Sequence, residues 1–359
     1  MDFKINLTES LNSCTTTTSK AAQNFSLPGE PSRMSYAGFI MPTLFGIICF
    51  LGITGNSLVI CMVFKKSSPR SSVPDIFIIS LSVVDLLFLL GMPFLIHQLL
   101  GNGAWHFGET MCTIITALDA NSQFTSTYIL TAMSIDRYLA IVYPFTATRF
   151  RKPLVAILVI CTLWALSFLS ITPVWLYAQL IPLPGGLLGC GIQLPDPQNA
   201  IYWYTLYQFF LLFAIPFILI TMAYRRILHR MAKSSEALTG QRCTRSHKKV
   251  TCVAIAICLA FFICWAPYHM LQLLQLTIRH PSLAFNYAYN VAISLGYANS
   301  CVNPFIYILL GQTFRRRQVV SIRPAVAGEE GSQNRDKRAQ GDCSKSGQPL
   351  LLLVPIAGR

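Results

Sequence analysis

Seven runs of about twenty or more mostly apolar residues dominate this chain, at 38–64, 74–100, 109–142, 153–177, 200–228, 249–278 and 284–310. Coiled into an α-helix, such a run matches the roughly 30 Å hydrocarbon thickness of a bilayer. In lipid every backbone N–H and C=O must find its partner inside the segment, which rules out open strands. The runs are also too long and too evenly apolar for barrel strands. The expected fold class is therefore an all-α membrane protein, a seven-transmembrane helix bundle over 38–310. Composition agrees, because only 12% of residues are charged, against about 25% in a soluble domain.

A net charge of +14 raises the question of nucleic acid, and the placement of the charge argues against it. Lys65, Lys66 and Arg70 follow span one, and Arg149, Arg151 and Lys152 follow span three. A dense basic set from Arg225 to Lys249 joins spans five and six, and Arg315, Arg316 and Arg317 follow span seven. The opposite side carries few cations. By the positive-inside rule the amino terminus is extracellular and the basic loops meet the cytosol and inner-leaflet lipid. The expected location is the plasma membrane, as a multi-pass protein, with span one acting as a signal anchor because the first 37 residues are polar.

The flanks follow from this topology. Residues 1–37 read as a disordered extracellular tail with glycosylation sequons at Asn6 and Asn24. Residues 311–323, with Phe314 beside three arginines, read as a short amphipathic eighth helix on the inner membrane face. Residues 324–359 read as a disordered cytoplasmic tail, although the last stretch is apolar and too short to span. Of twelve cysteines, only Cys14, Cys112 and Cys190 fall on the oxidising side. Cys112 and Cys190 are the favoured disulfide pair, tying the loop between spans four and five over the mouth of the bundle.

Span three carries most of the chemistry. Asp119 and Arg137 are eighteen residues apart, or five helical turns, so they share a face and sit roughly 27 Å apart along the axis. One rod therefore puts a buried anion near one membrane face and the Asp136-Arg137 ion pair, followed by Tyr138, near the other. Gln123 lies one turn below Asp119, and Ser126 further in is placed to share a cation site with Asp85 of span two. Asp85 is deep in lipid, where an ionised group costs a few kcal/mol, so it either carries a proton or is neutralised by a cation. Asn56 of span one is expected to pair with it. Trp105, before span three, reads as an interfacial anchor.

The remaining spans add a hinge and a second polar column. Span five has Pro216 in its interior and Tyr224 near the cytosol. In span six, Pro267 removes a backbone donor beside Trp265. Trp265, His269 and Gln272 share a face above that bend, with Tyr268 beside them. Tyr289 and Tyr297 of span seven complete the candidate ligand-binding set of Asp119, Gln123, Trp265, Tyr268, His269, Gln272, Tyr289 and Tyr297. Asn299, Ser300 and Asn303-Pro304 mark a polar, distorted stretch in the same span.

In chain order, Asn56, Asp85, Cys112, Asp136-Arg137-Tyr138, Trp164, Cys190, Pro216, Cys264-Trp265-Ala266-Pro267 and Asn303-Pro304-Phe305-Ile306-Tyr307 carry a resemblance to the rhodopsin-like G-protein-coupled receptors. It covers about residues 38–320. Trp105-His106-Phe107-Gly108, Asp119 and Gly296-Tyr297-Ala298-Asn299-Ser300-Cys301 look like the branch that recognises somatostatin, opioid and melanin-concentrating hormone peptides. The run Asp119 to Thr127, with Ile171 to Tyr177, looks most like the melanin-concentrating hormone receptors. The resemblance implies that Asp119 pairs with a cationic group of an extracellular peptide. It implies an allosteric sodium site from Asp85, Ser126, Asn299, Ser300 and Asn303 beneath Trp265. It also implies that Asp136, Arg137, Tyr138, Tyr224 and Tyr307 serve coupling to a heterotrimeric G protein. The partners implied are Gi/o with Gq as a further candidate, then arrestin and receptor kinases. Many members pair the equivalent of Arg137 with an acid at the inner end of span six; His247, Lys248 and Lys249 stand there instead.

Rival readings are a somatostatin-like, opioid-like or amine receptor, and an ion-coupled transporter using the buried polar column. No inverted repeat supports transport, and span seven lacks the lysine a retinal sensor needs. No phosphate loop, nucleophile elbow or metal-spaced His/Cys cluster supports an enzyme.

Overall fold

The computed structural model describes residues 33–65, 72–101, 103–145, 147, 151–235, 241–278 and 281–310. The tail with Asn6, Cys14 and Asn24, the segment 311–323 and the tail 324–359 lie outside the described residues, as do the side chains of His247, Lys248 and Lys249. The described helices are α1 (Arg33–Phe64), α2 (Val73–Leu100), α3 (Gly108–Val142), α4 (Pro153–Ser170), α5 (Thr172–Tyr177), α6 (Pro197–Gln208), α7 (Ile215–Ser235), α8 (Gln241–Gln275) and α9 (Leu283–Leu310). Span four is α4 with α5. Span five is α6, a π-helical turn over Phe209–Ala214, and α7. The basic segment between spans five and six prolongs both helices, as α7 runs to Ser235 and α8 starts at Gln241.

Five of the seven spans are apolar enough to cross a membrane on length and composition alone: Ile40–Phe64, Val73–Leu100, Pro153–Tyr177, Asn199–Ala232 and Val250–Gln275. The other two are α3 and α9, which carry more polar residues. Those residues are turned inward. On α3, Asp119, Asn121, Thr125, Ser126, Ser134, Asp136 and Arg137 are buried, as are Ser294, Asn299, Ser300 and Asn303 on α9. Lipid contact falls instead on apolar side chains such as Leu90, Leu169, Ile263 and Leu309. A span can therefore be moderately polar and still stable, because its neighbours rather than lipid receive its polar groups.

α3 is the hub of the bundle, touching α2, α4, α5, α7, α8 and the hairpin that follows α5. α1 packs between α2 and α9. Hydroxyl groups hold α4 to α3: Thr125 Oγ1 donates to Ser167 Oγ at 2.7 Å, and Ser167 Oγ donates to Asn121 Oδ1 at 2.8 Å. The Trp164 indole N–H reaches Ser80 Oγ of α2 at 3.2 Å. Between apolar helices in lipid there is no hydrophobic drive to associate, so such hydrogen bonds and close packing carry the contact.

Between α5 and α6 the chain forms an antiparallel hairpin, β1 (Ala178–Pro182) with β2 (Leu188–Ile192), in which Leu180 faces Cys190. Its tip holds Gly185 and Gly186 at φ 80° and 76°, a left-handed backbone that a side chain would strain. The Cys112–Cys190 disulfide joins β2 to the second turn of α3, the pair expected from the sequence. Trp105 N–H donates to Leu188 O at 2.7 Å, and Gln98 Nε2 donates to Cys190 O at 3.3 Å. The hairpin is thereby fixed over the bundle mouth from two directions.

Two sequence expectations change. Trp105 is no interfacial anchor. It is 5% exposed, packs against Phe94 and Phe107, and donates its indole N–H to Gly108 O at 2.8 Å. Its indole is a plug between α2, the loop and the hairpin. Asn56 does not pair with Asp85 either. Its amide donates to Gly52 O at 3.0 Å and to Ser300 O of α9 at 2.8 Å. Asn56 therefore ties α1 to α9, and the Asp85 carboxylate is reached by Asn303 Nδ2 at 3.0 Å.

Candidate functional site

Beneath the hairpin lies a cavity with an empty volume of about 520 Å³. Its wall comprises Asp119, Ala120, Gln123 and Phe124 of α3, Ile192 of β2, Tyr204 and Gln208 of α6, Trp265 and Tyr268 of α8, and Ile293 and Tyr297 of α9. The Tyr297 hydroxyl donates to Asp119 Oδ2 at 3.3 Å. A more apolar second cavity, of about 770 Å³, opens toward α1 and α2 past Met41, Phe45 and Leu95. Asp119, Ile293 and Tyr297 line both, so the carboxylate stands on the partition between them.

The structure brings five of the eight sequence-chosen ligand residues to the first cavity: Asp119, Gln123, Trp265, Tyr268 and Tyr297. The other three stand behind Tyr268. Gln272 Nε2 donates to the Tyr268 hydroxyl at 2.8 Å, the Tyr289 ring lies 5.8 Å from that of Tyr268, and the His269 ring lies 5.3 Å from it. His269 is also enclosed by Phe213 and Trp265. These residues fix the orientation of Tyr268 rather than forming wall.

Sequence reasoning missed Tyr204 and Gln208. Their signal was Pro216. Proline has no N–H to give the carbonyl four residues back, and the chain answers with a π turn in which Ile215 N–H reaches Phe210 O. The extra residue rotates α6 relative to α7. Gln208 then lies on the cavity wall with its amide on the Tyr204 hydroxyl at 3.0 Å.

The floor is Trp265. Its ring lies flat against Gly296 of α9, where an added Cβ would come within 2.8 Å of Trp265 Cζ3. Below it, Asp85, Asn299 and Asn303 are buried together with Ser82, Ser126 and Ser300. Asn303 gives its NH₂ to Asp85, while Asn299 Oδ1, Asn303 Oδ1 and Ser82 Oγ are buried oxygens with no hydrogen-bond partner among the described residues. Buried oxygens around a carboxylate suit a hard cation better than they suit packing.

At the inner end, Asp136 accepts from Arg137 of its own helix and from Arg151, whose Nε lies at 2.8 Å. Arg137 is 4% exposed. Tyr224 and Tyr307 are buried in the core close by, and the Tyr224 hydroxyl accepts from Ser134 Oγ at 3.4 Å. Tyr138 is half-buried, its ring 5.8 Å from that of Tyr143.

Comparison with known proteins gives a consistent picture. Residues 55–307 match the family model described as 7 transmembrane receptor (rhodopsin family). The chain is 66% identical to Melanin-concentrating hormone receptor 1 of Rattus norvegicus over 317 residues, covering 87% of this chain and 90% of that protein. Identity to Melanin-concentrating hormone receptor 1 of Homo sapiens is also 66%, over 318 residues with the same coverage. Melanin-concentrating hormone receptor 2 of Homo sapiens is 40% identical over 284 residues, covering 77% of this chain and 83% of that protein.

Proposed function

Because this chain belongs to the rhodopsin family of seven-transmembrane receptors, we propose that it is a receptor for melanin-concentrating hormone that signals through Gi/o, with Gq as a second route. It is a multi-pass plasma-membrane receptor and not an enzyme. The amino terminus faces outward in this reading, and arrestin, receptor kinases and inner-leaflet lipid meet the basic inner face. The ligand assignment rests on the relatives at 66% identity, which are named for that hormone. Transport, weighed from the polar column alone, has no counterpart in the family.

The observation that carries the reading is the Asp119 carboxylate on the partition between two cavities, steadied by the Tyr297 hydroxyl. A carboxylate in a water-poor cavity is a strong partner for a guanidinium, because the charge-assisted, bidentate bonds form where screening is weak. Tyrosine and tryptophan walls give the rest of a peptide rigid, amphipathic contact. Occupation of the cavity bears directly on Trp265, which touches α9 at Gly296. Rearrangement of α8 against α9 then reaches the Asp136–Arg137–Arg151 cluster. In energetic terms the ligand favours one of two bundle arrangements by its differential affinity for them.

Asp85, Asn299 and Asn303, with Ser126 and Ser300, fit a sodium ion, whose positive charge would offset the buried carboxylate of Asp85. Asn303 and Asn299 would turn their free amide oxygens toward it. Asp85→Asn is expected to abolish the effect of sodium on agonist affinity, measured as competition binding with and without the ion; an unchanged sodium effect refutes that site.

The test of the receptor reading is cyclic-AMP inhibition in cells expressing the chain, challenged separately with melanin-concentrating hormone, a somatostatin and an opioid peptide. A response confined to the first is expected. A response to either other peptide alone would overturn the ligand assignment, and silence toward all three would overturn the Gi/o route unless calcium release replaces it.

A further inference from the structure

At the extracellular rim, beside the second cavity but lining neither one, two histidines approach each other from different elements. His97 sits in the last turn of α2 and His106 in the loop before α3. Both side chains are exposed, their ring centroids are 5.4 Å apart, and the rings are tilted by 82°. Neither imidazole hydrogen-bonds to another described residue. His97 also rests edge-on against Phe107, with centroids 4.9 Å apart.

We propose that His97 and His106 form a two-histidine site for zinc that bridges the outer end of α2 and the loop before α3. Zinc takes imidazole nitrogens at about 2.0–2.1 Å. With roughly 1.2 Å more from nitrogen to ring centre and a tetrahedral angle at the metal, two coordinating rings have centroids about 5.2 Å apart. The observed 5.4 Å is close to that spacing, and turning the two exposed side chains about their χ angles would aim one nitrogen of each ring at a shared metal. Rotation about each metal–nitrogen bond is free, so the 82° tilt is compatible with coordination.

The chemistry of the pair favours a metal over a simple ring contact. Two exposed imidazoles gain little by burying each other's edges, whereas each offers a soft-to-borderline nitrogen ligand in water. Among the described residues no third His, Cys, Asp or Glu joins them. Two coordination positions are therefore left for water, which makes this a reversible, regulatory-strength site and not a closed structural one.

The position gives the metal leverage. Gln98, next to His97, donates to Cys190 O, and Trp105, next to His106, donates to Leu188 O. The two histidines thus flank the two hydrogen bonds that hold the hairpin over the cavity mouth. A metal bridging them pins α2 to the loop and so pins the hairpin.

The primary experiment uses the full-length receptor purified in detergent, with zinc chloride as the only probe and thermal unfolding as the readout. Zinc at about 100 µM is expected to raise the unfolding midpoint by ~2 °C or more, reversed by EDTA, since a ligand bound to the folded state alone stabilises it. His97→Ala and His106→Ala should each remove the shift, and the double variant should remove no more than either single one. His106→Asp should retain part of it, because a carboxylate also binds zinc. The proposal is overturned if wild type shows no shift, or if the shift survives either alanine variant. Should His97→Ala fail to fold, His106→Ala, in an exposed loop, decides alone. A second arm measures dissociation of bound melanin-concentrating hormone, which zinc should slow in wild type only. That arm depends on the ligand assignment, whereas the unfolding arm does not.

Discussion

Asp119 and Asp136 stand on one unbroken helix and are equally buried, at 8% exposure, yet their neighbours give them different work. Asp119 looks into space framed by Tyr204, Tyr268 and Tyr297, and the Tyr297 phenol donates to it. Asp136 is clasped by the guanidiniums of Arg137 and Arg151, one from its own helix and one from the following loop. A carboxylate on a cavity wall is open to a cation from outside the chain. A carboxylate already holding two arginines is a latch whose cations must be rearranged by the protein itself. Under the proposed function, the same residue type would receive a signal at one end of α3 and restrain one at the other.

The strongest way to break this comparison is Asp119→Asn. Losing one partner of a desolvated charge pair costs about 2–5 kcal/mol, so peptide potency should fall about 30-fold or more. Surface expression, read by an epitope tag, should persist. Unchanged potency would end the contrast between the two carboxylates.

Gly296→Ala probes the connection between the ends. Its methyl would lie 2.8 Å from Trp265 Cζ3. Overpacking of that kind costs about 1–3 kcal/mol, so the unfolding midpoint should drop and agonist-independent nucleotide exchange should change together. A shift in one without the other would separate stability from signalling at this contact.

Tyr297→Phe sharpens the outer end. Removing a donor to a carboxylate should weaken peptide binding about tenfold. In an Asp119→Asn background the same change should lose most of its effect, because the two residues act as one unit. Additive losses in that double-mutant cycle would mean that Tyr297 contacts the peptide independently.

The smallest effect is expected at the inner end. Arg151→Gln removes one of two cations from Asp136 and leaves Arg137 as its partner, tightening the latch. A part-exposed ion pair is worth about 0.2–1 kcal/mol, so G-protein activation should fall about two- to fivefold with peptide affinity unchanged. Increased activation would reverse the sign assigned to Arg151.

The two cavities, the inner ion-pair cluster and the hairpin were unequally legible in the sequence. Asp119 and Arg137 could be placed on one face by counting turns, and Cys112 with Cys190 by topology. His269, Gln272 and Tyr289 share that legibility of spacing, but the structure sets them behind Tyr268, off the cavity wall. Tyr204 and Gln208 had no spacing signal of their own, because a π turn shifts their register relative to the rest of span five.

By itself the sequence determined seven helices, the disulfide and the polar load of α3 and α9, and it set the expected direction through the membrane. These depend on hydropathy, charge asymmetry and hydrogen bonds made within each helix, all of which run along one dimension. Tertiary structure alone decided that Asn56 answers Ser300 while Asn303 answers Asp85, that Trp105 is a buried plug, and that Arg151 joins Asp136. Which neighbour meets a polar group depends on how far each helix is rotated against the others. That rotation is set by the packing of the whole bundle, where small residues such as Gly296 let one side chain lie flush against the next helix.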